Sequence, residues 1–199
     1  MRLSVSLALL VLALNACTSI TPRGLISALQ LDPLRTDPTH IGAAIGLPDT
    51  MQLRDGDAYL AMAYTVDGEA DPRIHERFPL RLMDDSAVVH PPIPAMGEVI
   101  FVTALSPQAA ARLRRTQAAI LALRESGIEG TGTLAIRVTG GCSTARPPTS
   151  LPVRTFLRTG PDGEFVQLTH RRDLLDELAP AARAALLAGI GDCKHRQAP

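Results

Sequence analysis

Cys17, Cys142 and Cys193 are the three thiols of this 199-residue chain. A thiol can accept an acyl group, close a bridge or ligate a metal, and which of these applies depends on compartment. Cys142 and Cys193 form a natural pair if Cys17 is otherwise engaged. A bridge between them would close a loop of about 50 residues, worth at most roughly 4 kcal/mol in chain entropy. The alternative takes Cys142, Cys193 and His195, in the stretch "CKH", as ligands for copper or zinc. His75-Glu76 and Asp84-Asp85 could supply an acid and a base, and Ser143 beside Cys142 a hydroxyl nucleophile. The sequence places no partner base beside Ser143, and any folded chain of this size gathers a few titratable groups. His40, His90 and His170 are equally dispersed. The chain lacks a Gly-x-Ser-x-Gly elbow, a His-Glu-x-x-His pair and a phosphate loop with its lysine. No catalytic residue, metal ligand or cofactor is therefore assigned.

The N-terminus, "MRLSVSLALLVLALNACTSI", supplies the compartment. Arg2 is the sole charge before Arg23, and an apolar core runs from Leu7 to Leu14 before Asn15, Thr18 and Ser19. A basic start, a short apolar region and a small residue ahead of a cut describe a secretory leader. A spanning helix needs about 20 largely apolar residues, more than this core supplies.

Leu14-Asn15-Ala16-Cys17 resembles the lipobox of bacterial lipoproteins: an aliphatic residue, a tolerant position, a small residue and the cysteine. The resemblance implies that the Cys17 thiol is diacylated, residues 1–16 are cut away after Ala16, and the new amine is acylated. Two or three chains anchor far better than one, since each buried CH₂ contributes about 0.8 kcal/mol. Thr18, where sorted lipoproteins destined for the inner membrane carry an acidic residue, favours the outer membrane. With Cys17 consumed by lipid in an exported protein, Cys142 and Cys193 are expected to be joined.

Acidic and basic residues number 20 each, so loss of Arg2 leaves a single net negative charge. That balance offers no electrostatic footprint for nucleic acid. Lys194 is the lone lysine, and Arg112, Arg114 and Arg115 form the densest basic group, expected on a solvated helix face. Aromatics amount to 3% and tryptophan is absent, which disfavours a carbohydrate-stacking groove or an aromatic hot spot.

The elements that must position these groups follow from periodicity. Residues 17–23 read as a tether, and residues 24–199 as one soluble domain. Short helical turns are expected at Gly24–Leu29 and Pro38–Ile45, the second capped by Asp37. "DAYLAMAYTV" alternates, with Leu60, Met62, Tyr64 and Val66 on one face. "ERFPLRLMDD" is a second strand, placed at an edge by Pro79, and "EVIFVTAL" a third. Ser106-Pro107 opens the long helix, which Gly127 closes, with Leu113, Ile120, Leu123, Ala109, Ala110 and Ala119 as its apolar stripe. "GTLAIRVTGGC" is a strand; "LPVRTFLR" and "GEFVQL" around "TGPDG" are a hairpin. "RRDLLDELAPAARAALLAGIG" gives a helical pair broken at Pro180. The expected fold is α+β: a mainly antiparallel sheet of about six strands, one long helix and a C-terminal helical pair. "LAMAYTVDG" and "LAIRVTGG" share a few small residues, too few to establish a duplication.

The succession of "LDPLRTDP", "LSP" before a helix, "GG" with a cysteine and "LPVRTFLRT" is similar to uncharacterised bacterial envelope lipoproteins, which carry no assigned activity. The expected function is that of a lipid-anchored, periplasm-facing binding or assembly module with an envelope protein as partner. An enzyme with a dispersed site and a metal-handling protein remain the alternatives.

Overall fold

The computed structural model describes residues 34–84, 88, 90–145, 148–161 and 163–195. The leader, Cys17, the tether, the helical turn expected at Gly24–Leu29 and Asp85 lie outside them. Among the described residues, eleven strands and three α-helices make an α+β fold. Strands β1 (Gly42–Pro48), β3 (Ala58–Val66), β4 (Ile74–Leu82), β5 (Glu98–Leu105), β6 (Gly130–Val138), β8 (Pro152–Arg158), β9 (Val166–Gln167) and β10 (Arg172–Asp173) form one curled antiparallel sheet. Its order is β10-β8-β1-β5-β4-β3-β6, with β9 paired to β8, and it bends into a half-barrel. A small second sheet sets β7 (Gly141–Ser143) between β2 (Met51–Gln52), antiparallel, and β11 (Ile190–Asp192), parallel. The expectation of about six strands is too low, because short pieces such as β2, β7, β10 and β11 have no periodicity to detect.

The sharpest departure from the sequence reading is β1. The helix expected over Pro38–Ile45 is a 3₁₀ turn of three residues, Pro38–His40, capped as anticipated by Asp37, whose Oδ1 accepts the Thr39 N–H at 2.9 Å. At Ile41 the backbone turns extended, and Gly42–Pro48 becomes the strand between β5 and β8. Residues 42 to 47 are all buried. A strand covered on both faces reads as an unbroken apolar run, which periodicity cannot separate from a buried helix.

Pro79 also lies elsewhere than expected. β4 is interior, between β3 and β5. The β4–β5 ladder begins only at Leu80, so Pro79 occupies a stretch paired on one side, with Tyr59 of β3 opposite. The lost N–H is tolerated there. β3 follows its alternation closely: Leu60, Met62 and Tyr64 are buried, and the Tyr64 hydroxyl donates to the Ile128 carbonyl at 2.9 Å.

Helix α1 (Pro107–Glu125) has the anticipated ends. Ser106 Oγ accepts the Ala109 N–H at 3.1 Å, and Pro107 occupies the first turn. At the far end Gly127 takes φ +80°. The N–H groups of Gly127 and Ile128 donate to the carbonyls of Arg124 and Leu123, each at 3.0 Å, which satisfies the last turn. The buried face is Ala109, Ala110, Leu113, Thr116, Gln117 and Ile120, while Ala119 is exposed. Gln117 is buried because its Nε2 donates to the Thr36 carbonyl at 2.9 Å. α2 (Leu174–Glu177) and α3 (Pro180–Gly189) are the expected pair, separated just before Pro180. Among the described residues no helix is long and apolar enough to cross a membrane.

One apolar cluster runs from Leu34 through β1, β3, β4 and α1 to Ile190. A smaller one lies on the opposite face of the sheet around Ala44, Val102 and Phe156, with Met83, Val88, Ile100 and Phe165 against it.

Candidate functional site

Cys142 and Cys193 are joined by a disulfide, with a Cα–Cα distance of 5.0 Å. Cys142 lies in β7, and Cys193 follows β11 directly, so parallel pairing of the two strands brings the thiols together. In this oxidised form both thiolates are spent, which removes them from the ligand set that paired them with His195. Among the described residues there is no group of three or more His, Cys, Asp or Glu side chains close enough to share a metal ion. Beside the bridge is a cleft of about 490 Å³ lined by Ser143, Thr144, Ala145, Ile190, Gly191, Asp192 and Lys194. Ser143 is buried in its wall and its Oγ accepts the Ala145 N–H at 3.2 Å. No histidine is among those lining residues.

The other candidate residues for acid–base chemistry stay apart. Glu76 accepts from Arg112 at 2.8 Å, while the neighbouring His75 is exposed. His40, His90 and His170 are exposed at separate places. Of the basic triplet on α1, Arg112 also lies 5.4 Å from the Phe78 ring centroid, Arg114 pairs with Asp37 at 2.8 Å, and Arg115 is exposed. Hydrogen bonds from the backbone and hydroxyl of Thr39, with the Arg114 charge added, hold the Asp37 carboxyl below its ordinary range. These are surface contacts on a solvated helix face, as the sequence suggests.

A constellation that the sequence did not single out is better built. Glu98 opens β5, Arg154 lies in β8, and β1 runs between them. Their side chains cross β1 above Gly46 and meet in a two-point ion pair: Arg154 Nε donates to Glu98 Oε1 at 2.8 Å, and Nη2 to Oε2. Glu98's side chain is 2% exposed and Arg154's 16%. A Cβ on Gly46 would overlap the carboxylate, standing 2.8 Å from Glu98 Cδ. Glycine is thus what lets the pair close over the strand. The Arg154 guanidinium also lies 5.2 Å from the Phe156 ring centroid. Burial pushes the Glu98 carboxyl upward, but the hydrogen bond from Arg154, the Ala95 N–H and the charges of Arg154 and Arg171 outweigh it and leave the pKa below its ordinary value.

The pair holds the preceding loop, "PPIPAMG". Glu98 Oε2 accepts the Ala95 N–H at 2.7 Å, and Arg154 Nη2 donates to the Ile93 carbonyl at 3.2 Å. The Glu98 N–H donates back to the Ala95 carbonyl at 3.1 Å, closing a turn in which Gly97 takes φ +69°. The Asp49 N–H, just past β1, donates to the Gly97 carbonyl at 3.1 Å. Pro91, Pro92 and Pro94 limit the backbone further. On this held loop Ile93 and Met96 project into solvent, 86% and 95% exposed. In the sequence the same residues register only as a proline-rich interruption. The available signal was a glutamate heading an otherwise apolar strand, with two large apolar residues set among prolines.

The chain matches no protein-family model, no curated protein and no solved structure.

Proposed function

We propose that this chain is a lipid-anchored protein of the cell envelope, held through Cys17, whose periplasm-facing domain is a non-enzymatic binding or assembly module. The anchor reading rests on Leu14-Asn15-Ala16-Cys17 at the end of an apolar leader, and Thr18 favours the outer membrane. The binding reading rests on one observation: Ile93 and Met96 are held out in water by a loop fixed through a buried ion pair. Single exposed apolar side chains are ordinary on a protein surface. Two on a braced loop are already ordered, so a partner's apolar pocket can cover them at a smaller entropy cost. The partner that fits is an envelope protein with such a pocket. The near-zero net charge disfavours nucleic acid.

Photo-crosslinking residues at Ile93 and Met96, in cells, test this against the exposed helix position Ala118. A discrete protein adduct at 93 and 96, absent at 118, is the expected result. No adduct at either loop position, together with turnover of a metabolite by the purified protein, would replace the binding module with an enzyme.

A further inference from the structure

The two edges of the large sheet are treated unequally. At one end β9 and β10 contribute two residues each, and α2 follows β10 directly. At the other end stands β6, nine residues long, paired one-to-one with β3 from Gly130↔Val66 to Val138↔Ala58. Among the described residues no strand pairs with its outer side. Short strands, lysine, proline and bulges are the usual means of closing an edge to other chains. β6 has none of them; its sole charge is Arg137, and its register with β3 runs without a break.

We propose that β6 is the contact between two copies of this chain, which pair antiparallel through it about a two-fold axis at Leu134. The occupant is argued from the strand's own pattern. Centring the pair on Leu134 sets Gly130 against Val138, Gly132 against Ile136 and Thr133 against Ala135 of the second copy. The two large β-branched residues, Ile136 and Val138, then each face a glycine, and a Cβ at Gly132 has nothing nearer than 4.0 Å. Arg137 falls opposite Thr131, so no like charges meet. The arrangement is self-complementary, as an isologous dimer requires, and main-chain hydrogen bonds along the ladder supply the attraction. This inference stands apart from the role assigned to the loop at Ile93 and Met96.

The test exploits Thr131, which is exposed and pairs with the neutral Thr65 within its own sheet. Sedimentation velocity on the protein as isolated, in density-matched detergent, reads the dimer dissociation constant. Thr131→Arg places like charges against Arg137 of the second copy, twice by symmetry, and should weaken the dimer about fivefold. Thr131→Glu places a carboxylate there and should tighten it by a similar factor. A folding defect would move both variants the same way. Equal shifts overturn the proposal. So does a chain that stays monomeric with or without Thr131→Glu, the outcome expected if residues 17–33 or another protein cover the edge.

Discussion

The Glu98 carboxylate and the Arg154 guanidinium meet across the interior strand β1, above Gly46, and both also hold the backbone of the 91–97 loop. One buried pair therefore joins β5 to β8 and orders a surface feature. Arg154→Ala leaves an almost fully buried carboxylate without its cation and should cost about 3–5 kcal/mol. Gly46→Ala forces the pair apart from beneath and should cost at least about 1 kcal/mol. Urea unfolding checks both, and the order of the two effects separates loss of the pair from its displacement.

Stability should fall on acidification, with Glu98 and Asp173 as contributors. Asp173 caps α2 and accepts the N–H groups of Leu151 and Leu175, each at 2.9 Å. Burial raises its pKa, but the Ser150 hydroxyl, those two N–H groups and the Arg183 charge bring it below the ordinary value. Both carboxyls thus have folded pKa values below their unfolded ones, near 3.9 for Asp and 4.3 for Glu. Their contribution is present above the unfolded values and is lost as pH drops through the folded ones, because the unfolded chain binds more protons in between. Urea midpoints should hold from pH 7 to about 5 and decline below that. Glu98→Gln should make the decline shallower.

Reduction of the Cys142–Cys193 bridge should destabilise by roughly 2–4 kcal/mol, as should Cys142→Ser with Cys193→Ser. The bridge fastens β11 to β7, so hydrogen exchange at Ile190–Asp192 should quicken ahead of that in β3. Intact mass should rise by about two hydrogens on reduction if the bridge is the sole one.

With a leader that is removed without lipid in place of residues 1–16, Cys17→Ser should move the protein from the membrane fraction to the soluble one, and the mature wild-type chain should begin at an acylated Cys17. Two or more acyl chains make the difference large, since a single chain binds only with K of about 10⁴ M⁻¹. Fractionation with intact-mass measurement reads both outcomes. An unmodified Cys17 with residues 1–16 still attached would end the anchor reading.

Much of the architecture was legible because local physics repeats along the chain. Alternation in Leu60–Val66 marks β3, the Ser106-Pro107 and Gly127 signals mark the ends of α1, and the apolar runs around Gly160 and Gly163 mark the β8–β9 pairing. Each is decided within a few residues, by side-chain period, capping or turn chemistry. β1 escaped because burial on both faces erases the alternation that identifies a strand. Pro79 misled because a strand can be interior along one part and one-sided along another.

By itself the sequence determined the α+β composition, the ends of the long helix and the choice of Cys142 and Cys193 as partners. Tertiary structure alone decided that Gly42–Pro48 lies inside the sheet between β5 and β8, that Glu98 finds Arg154 from 56 residues away, and that Ile93 and Met96 stand clear of it. The reason is range. Helix caps and strand periods are local interactions, whereas a buried ion pair over a glycine exists only once three strands distant in sequence have been laid side by side.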